Sequence, residues 1–383
     1  MFEQELEIGK QAVIESMRLC REIQQESLGR SSIKKLDKSP VTIADFISQA
    51  IICHALTEHF PRIPIVAEEH SGVLRKSEHE QFVNNIFYFI EKDKPLRTLL
   101  NRGNLFRTID LGCGETNTDM FWALDPVDGT LGFLRGAQFA VALALVVKGR
   151  VHVGILGCPH FELPGQPSAQ GYCLFAVRGQ GAHVLNVETG RVSKIEISTI
   201  RDPANMRMVE SVEPGHGDLD RQLKIARALK LNADPWPIDS QAKYGVLATG
   251  NAEIYLRLPK LASGYKEKIW DHAAGSLILE EAGGKVTDMH GKELDFTQGK
   301  TLKANNGIVA SVPSVHQLVL ETIKAVPPVV PILIGALSGI TLAILVTVAI
   351  DLARGRNPLG SIGILMMFFV LVIFLVFINK RHP

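Results

Sequence analysis

Hydrophobic positions recur along the chain with two periods, and the switches between them mark the elements. Leu6, Val13, Ile14, Met17 and Leu19 follow near-helical spacing, which predicts one amphipathic helix across residues 1–30. "SPVTIADFISQAIICHALTEHF" (39–60) predicts a second helix, with Ile47, Ile51, Ala55 and Leu56 on its apolar face. "PIVAEEH" (64–70) reads as a short buried strand that runs into two acids, and residues 71–120 as a polar, weakly periodic helical excursion. Strand character returns in "FWALDPVDGTLGF" (121–133), which ends in a turn. It continues in a pair of strands around Lys-Gly-Arg within 138–159, then in "YCLFAVRGQGAHVLN" and "VSKIEIS" (192–198). After residue 200, "DLDRQLKIARALKL" and "SQAKYGVLATG" are helical and "AEIYLRLP" is a strand. "DHAAGSLILEEAGG" is a helix stopped by Gly-Gly, and "GIVAS" is a last strand. Strands and helices mixed in this way imply layered α/β packing.

The last fifty-odd residues follow neither period. "VVPILIGALSGITLAILVTVAI" (329–350) carries no charge, and "IGILMMFFVLVIFLVFI" (362–378) carries none either. Spans of about 20 apolar residues cross a bilayer, with about 17 as the lower limit, so two transmembrane helices are expected. "PPVVP" (327–331) stiffens the approach to the first of them. The intervening loop sets Arg354 and Arg356 against Asp351, so loop charge does not assign an orientation.

Composition narrows the partners. Lys and Arg total 41 against 40 for Asp and Glu, a net charge of +1, and no basic block suits nucleic acid. Cys20, Cys53, Cys113, Cys158 and Cys173 are odd in number with no CxxC pair, which points to a reducing compartment rather than a zinc site or disulfide framework. The N-terminal twenty residues lack an apolar stretch and are expected not to be a signal peptide. A membrane protein with a cytoplasmic catalytic part is the combined expectation.

Acids terminate three apolar strands: Glu68 and Glu69 after "PIVA", Asp125 and Asp128 after "FWAL", and Asp271 after "KIW". Asp45 stands at a helix start. Alone, each is an ordinary cap or solvated corner. Together they suit a hard cation, which takes carboxylates, carbonyls and waters and leaves room for phosphate. The Gly129–Thr130 step adds backbone amides at a helix start, where anions bind.

"DPVDGT", with "AEEH" upstream and "WDHAAG" downstream, resembles the signature of the lithium-sensitive, Mg²⁺-dependent phosphomonoesterases of the inositol monophosphatase family. "SPVTIAD", "DSQAKY", "IYLRLP" and "EKIWDHAAG" are most similar to its 3′(2′),5′-bisphosphate nucleotidases, over roughly residues 1–315. The resemblance implies an α/β fold, a layered α-β-α-β-α sandwich of the inositol monophosphatase type, here followed by the two transmembrane helices. It suggests a metal- and phosphate-binding half (1–195), a substrate-recognition half (196–320) and a linker (321–328). It implies two to three Mg²⁺ ions held by Glu68, Asp125, the Val127 carbonyl, Asp128 and Asp271. Thr130 paired with Asp45 would activate water, and the Gly129 and Thr130 amides would hold the phosphate. The reaction implied is hydrolysis of adenosine 3′,5′-bisphosphate, a by-product of sulfur metabolism, to AMP, with the sulfated analogue as a further substrate. Ala67 and His70 depart from the usual residues without removing a ligand; His70 reads as an exposed loop histidine.

Specificity is expected from the second half: His216 in "VEPGHG" to stack on adenine, and Ser240, Lys243 and Arg257 for the phosphate that is not cleaved. Glu280 and Glu281 read as a solvated helix face. An inositol polyphosphate 1-phosphatase or inositol monophosphatase, and an inactive membrane scaffold, stand as alternatives.

Overall fold

The computed structural model describes residues 2–26, 31–36, 39–215, 217–260, 264–328 and 354. The chain divides into two units, Met1–Pro327 and Pro328–Pro383. Both expected spans, 329–350 and 362–378, and His216 lie outside the described residues. Among those described, no helix is long and apolar enough to cross a membrane.

Helix α1 (Glu3–Gln25) buries Val13, Met17, Cys20 and Ile23, the three-to-four spacing of one face. A short hairpin, β1 (Ser32–Lys34) and β2 (Pro40–Thr42), leads into α2 (Ile43–His59). Thr42 and Asp45 close a capping box at the start of α2. Buried strand β3 (Ile65–Ala67) is followed by helices α3 (Glu80–Lys92), α4 (Lys94–Leu99) and α5 (Leu105–Asp110). Strand β4 (Met120–Asp128) and short helix α6 (Thr130–Leu134) come next. Then β5 (Ala140–Val147), β6 (Arg150–Cys158), β7 (Tyr172–Val177), β8 (Ala182–Asn186) and β9 (Val192–Ile195) run antiparallel.

These strands form a seven-stranded sheet in chain order from β3 to β9, parallel only at β3–β4. A second sheet of five strands has the order β11-β10-β12-β14-β13. Its members are β10 (Met208–Glu210), β11 (Trp236–Pro237), β12 (Ile254–Arg257), β13 (Lys285–Thr287) and β14 (Ile308–Ser311). The helices of this half are α7 (Leu219–Ala228), α8 (Ala242–Ala248), α9 (Ala273–Glu281) and α10 (Pro313–Ala325). Strands β10 and β13 are three residues each, too short for alternation to announce them.

Three apolar clusters define five layers. One joins α1 and α2 to the outer face of the large sheet. Another fills the space between the two sheets, where α8 and α9 lie. The third joins α7 and α10 to the far face of the small sheet. Strands β5 to β7 are covered on both faces, which is why they read as unbroken apolar runs. At Gly154 the α9 backbone comes so close that a Cβ would sit 2.7 Å from the Ala274 carbonyl oxygen.

Two expectations are corrected. The linker drawn at 321–328 begins too early, because α10 runs to Ala325. Glu280 and Glu281 are not a solvated face: Glu280 pairs with Arg178 at 3.0 Å, and Glu281 accepts the Gly179 and Gly181 amides at 2.8 Å each. The Gly-rich turn between β7 and β8 leaves those amides without strand partners, and the end of α9 supplies the acceptor.

Candidate active site

Strand β4 carries the central acids through a break in its own ladder. Asp125 pairs with Ala142 but Asp128 with Ala140, so β4 holds one residue more than β5 across this step. In a regular strand, residues three apart point to opposite faces; the extra residue resets that alternation. Pro126, which has no amide to donate, occupies the bulge. Its carbonyl is fixed by the Ser48 hydroxyl at 2.8 Å, a strut from α2. Gly129 follows at φ +88, a left-handed turn suited to glycine, and a Cβ there would lie 3.2 Å from that of Ser240. The chain then starts α6 at Thr130.

A cavity of about 600 Å³ opens at this turn. Its lining includes Glu68, Asp125, Val127, Asp128, Gly129 and Thr130 from the large sheet's side. From the other half come Ser240, Lys243, Arg257 and Asp271. Asp45 stands behind this lining. A smaller cavity of about 280 Å³ is lined by none of these acids.

Crowding shows in the protonation of the acids. Burial, then the charges of Glu68, Asp128, Asp271 and Asp45, push the Asp125 carboxyl well above the carboxylate range. Asp271 is raised mainly by burial, against the pull of Arg257. Asp128 is raised by burial too, although Lys243, the Gln241 amide and Arg257 oppose the shift. Asp45 is lifted by burial from 3.8 to about 7, with Thr42 and Lys35 opposing. Its Oδ2 accepts the Thr42 amide at 2.7 Å and hydroxyl at 2.5 Å, whereas Oδ1 is buried with no partner. Convergent carboxylates of this kind are what a hard divalent cation would satisfy, and the partnerless Asp45 oxygen is left open to accept a proton.

Partial compensation comes from groups that the sequence did not single out. Lys35 Nζ donates to Glu68 Oε1 at 2.6 Å and to Glu69 Oε1 at 2.7 Å. Burial would lower the Lys35 ammonium, but the two glutamates outweigh it and raise its pKa. The Gln241 amide donates to Asp128 Oδ2 at 2.5 Å, aimed there by Ser240 at φ +69. The Gln241 side chain ties the turn to α9: Nε2 donates to the Trp270 carbonyl and Oε1 accepts the Gly275 amide. Arg135 reaches across to Asp239 at 2.6 Å and also pairs with Glu213. "SIKKLDK" offers no way to prefer Lys35 over its neighbours, and backbone donors are invisible in a sequence. Glu267, four residues before Asp271, lines the same cavity and pairs with Arg257 at 2.8 Å.

Lys243 is buried, donates to the Ile238 carbonyl at 3.1 Å and lies 5.5 Å from the Tyr255 ring centroid. Burial lowers its pKa to about 8, with Asp128 partly restoring the charge. Ser240 Oγ accepts the Ala242 amide at 3.2 Å. His70 is exposed, its ring accepting the Gly72 amide at 3.1 Å. Thr130 is not paired with Asp45 here; its hydroxyl donates to the Val127 carbonyl at 3.2 Å.

Residues 3–327 match a family model described as the inositol monophosphatase family. The chain is 40% identical over 340 residues to a 3′(2′),5′-bisphosphate nucleotidase of Oryza sativa, covering 84% of this chain and 94% of that protein. It is 40% identical over 317 residues to the 3′(2′),5′-bisphosphate nucleotidase of Schizosaccharomyces pombe, covering 79% and 88%. Among solved structures, the extragenic suppressor protein suhB from Bartonella henselae superposes with a TM-score of 0.60 at 20% identity. That match covers 84% of this chain and 99% of the other, and carries the fold alone.

The raised carboxyls set a pH test. Between pH 3.8 and about 7, Asp45 keeps in the fold a proton that the unfolded chain gives up. Metal-free stability therefore declines as pH rises through that window. Mg²⁺ needs the ionised cluster, so the increase in melting temperature on adding it should be larger at pH 7.5 than at pH 5. An equal increase at both would contradict the assignment.

Proposed function

The chain belongs to the inositol monophosphatase family, and we propose that it removes the 3′-phosphate of adenosine 3′,5′-bisphosphate, giving AMP and phosphate. The observation that carries this reading is the pairing, in one cavity, of the carboxylate cluster with two cations, the buried Lys243 and the half-buried Arg257. A monophosphate needs only the acids and their metal. A second, uncleaved phosphate needs positive charge of its own, and the Lys243 ammonium and Arg257 guanidinium supply it. The curated relatives named 3′(2′),5′-bisphosphate nucleotidase, at 36–40% identity over most of the chain, support the same substrate.

The family depends on metal, generally Mg²⁺. In our reading Glu68, Asp125, the Val127 carbonyl, Asp128 and Asp271 hold two to three ions. When bound, the metal neutralises the phosphate, acidifies the attacking water and stabilises attacking and leaving oxygens. The chain's own residues do the rest. Rotation of the Thr130 side chain away from Val127 frees that carbonyl as a ligand and turns the hydroxyl toward the water. Asp45, near pH 7 and with one oxygen free, takes the proton. The amides of Gly129 and Thr130 meet the phosphate at the turn. Ser240 lies beside them, Lys243 and Arg257 are assigned to the second phosphate, and the base is assigned from sequence to His216.

A phosphate-release assay comparing adenosine 3′,5′-bisphosphate with inositol 1,4-bisphosphate tests the substrate. The nucleotide is expected to show the higher kcat/KM, with Lys243→Ala and Arg257→Ala each costing about tenfold or more in kcat/KM through loss of a charge-assisted contact. Faster turnover of the inositol phosphate would overturn the assignment.

We further infer, from hydropathy alone, that residues 329–350 and 362–378 hold the enzyme at a membrane. The full chain should then fractionate with membranes, and a chain ending at Ala325 should remain active in the soluble fraction. A full chain recovered in the soluble fraction would contradict this.

A further inference from the structure

Arg257 stands between two carboxylates. Its Nε is 2.8 Å from Glu267 Oε2, while its Nη2 is 3.6 Å from Asp271 Oδ2. The first contact is a close ion pair and the second is beyond hydrogen-bond length. Glu267 is held from behind as well. His272 Nε2 lies 3.2 Å from the same Oε2, and His272 Nδ1 is 2.9 Å from the Tyr244 hydroxyl. His272 and Tyr244 are both fully enclosed. A chain of buried polar groups thus runs from the layer between the sheets out to Arg257.

Left to itself, a guanidinium beside an aspartate closes on it, since the two-pronged geometry matches. Closure on Asp271 would take up the oxygens and the charge that a cation at this position requires. It would also turn the guanidinium away from any second phosphate. Tyr255 also hydrogen-bonds Arg257, but as a neutral phenol; Glu267 is the other carboxylate paired with it.

We propose that Glu267 is a positioning residue, a second carboxylate that holds Arg257 off Asp271 so that Asp271 stays open to metal and Arg257 to substrate. This rests on reading the cavity as a metal-dependent phosphatase site, and it adds a function for a residue that touches neither metal nor substrate. Burial would raise the Glu267 carboxyl, but Arg257 and His272 outweigh it and hold it at about 2, so the pair stays charged at neutral pH. Ligand atoms of Glu267, Asp271 and His272 also lie within 4.8 Å of one another, the spacing of a metal site. The contacts argue against that use. Both His272 nitrogens face partners, and Arg257 already occupies Glu267; of the three, Asp271 alone has no close partner.

Glu267→Gln keeps the shape and removes the charge, so Arg257 should move to Asp271. Calorimetric titration of the substrate-free full chain with Mg²⁺ reads this without turnover. Glu267→Gln should weaken Mg²⁺ binding about tenfold, in line with coupling inside a charge network. The double variant Glu267→Gln/Arg257→Ala should return it to within about twofold of the unaltered protein, because the competing cation is gone. KM for adenosine 3′,5′-bisphosphate should stay raised in both. Unchanged Mg²⁺ binding in Glu267→Gln would overturn the proposal, as would a double variant as weak as the single one. If Glu267→Gln does not fold, the double variant decides alone by the same criterion. Asp125→Asn separates the premises: if it binds Mg²⁺ normally, the metal site itself is misassigned. If it loses binding while Glu267→Gln does not, only the positioning role fails.

Discussion

Repulsion among carboxylates is the constraint on which this molecule depends. Glu68, Asp125, Asp128 and Asp271 share one cavity; Asp125 and the nearby Asp45 are buried, and the other three are partly withdrawn from the water that would screen their charges. Folding brings them together only because the surrounding scaffold is rigid enough to hold them. The bulge in β4 turns Asp125 and Asp128 into the same space, and Ser48 braces that bulge from α2. The Gln241 amide and Lys35 supply partial positive charge. What remains unbalanced is the kind of charge that a small, highly charged cation would offset.

The two sheets divide the work. The large sheet and its short turn contribute Glu68, the β4 acids and the Gly129 and Thr130 amides. The small sheet contributes the fixed cations, Arg257 from β12 and Lys243 from the adjoining α8. Asp271 joins the halves, since it precedes α9, the helix packed between the sheets. The two walls carry opposite charge, and Arg257 is ion-paired with Glu267 at 2.8 Å.

Much of this was legible in the sequence, for reasons that particular residues show. Strands β5 to β7 and helix α9 are covered on both sides and so are unmistakably apolar. The acids stood out because each ends such a run. Lys35 did not, because a lysine in a polar loop looks the same whether it faces solvent or a glutamate pair. Glu281 looked solvated because its partners are backbone amides of a distant turn. The expected Thr130–Asp45 pair is replaced by local contacts, Thr130 to Val127 and Asp45 to Thr42, each only three residues away.

The claim that stored carboxylate repulsion is what metal relieves has a direct thermodynamic test. Asp125→Asn removes one charge while leaving an oxygen to accept the Val127 amide. In metal-free buffer at pH 7.5 it should raise the melting temperature above that of the unaltered protein, and it should abolish the further rise with Mg²⁺. A variant less stable than the unaltered protein without metal, or one that still gains fully from Mg²⁺, would contradict the account.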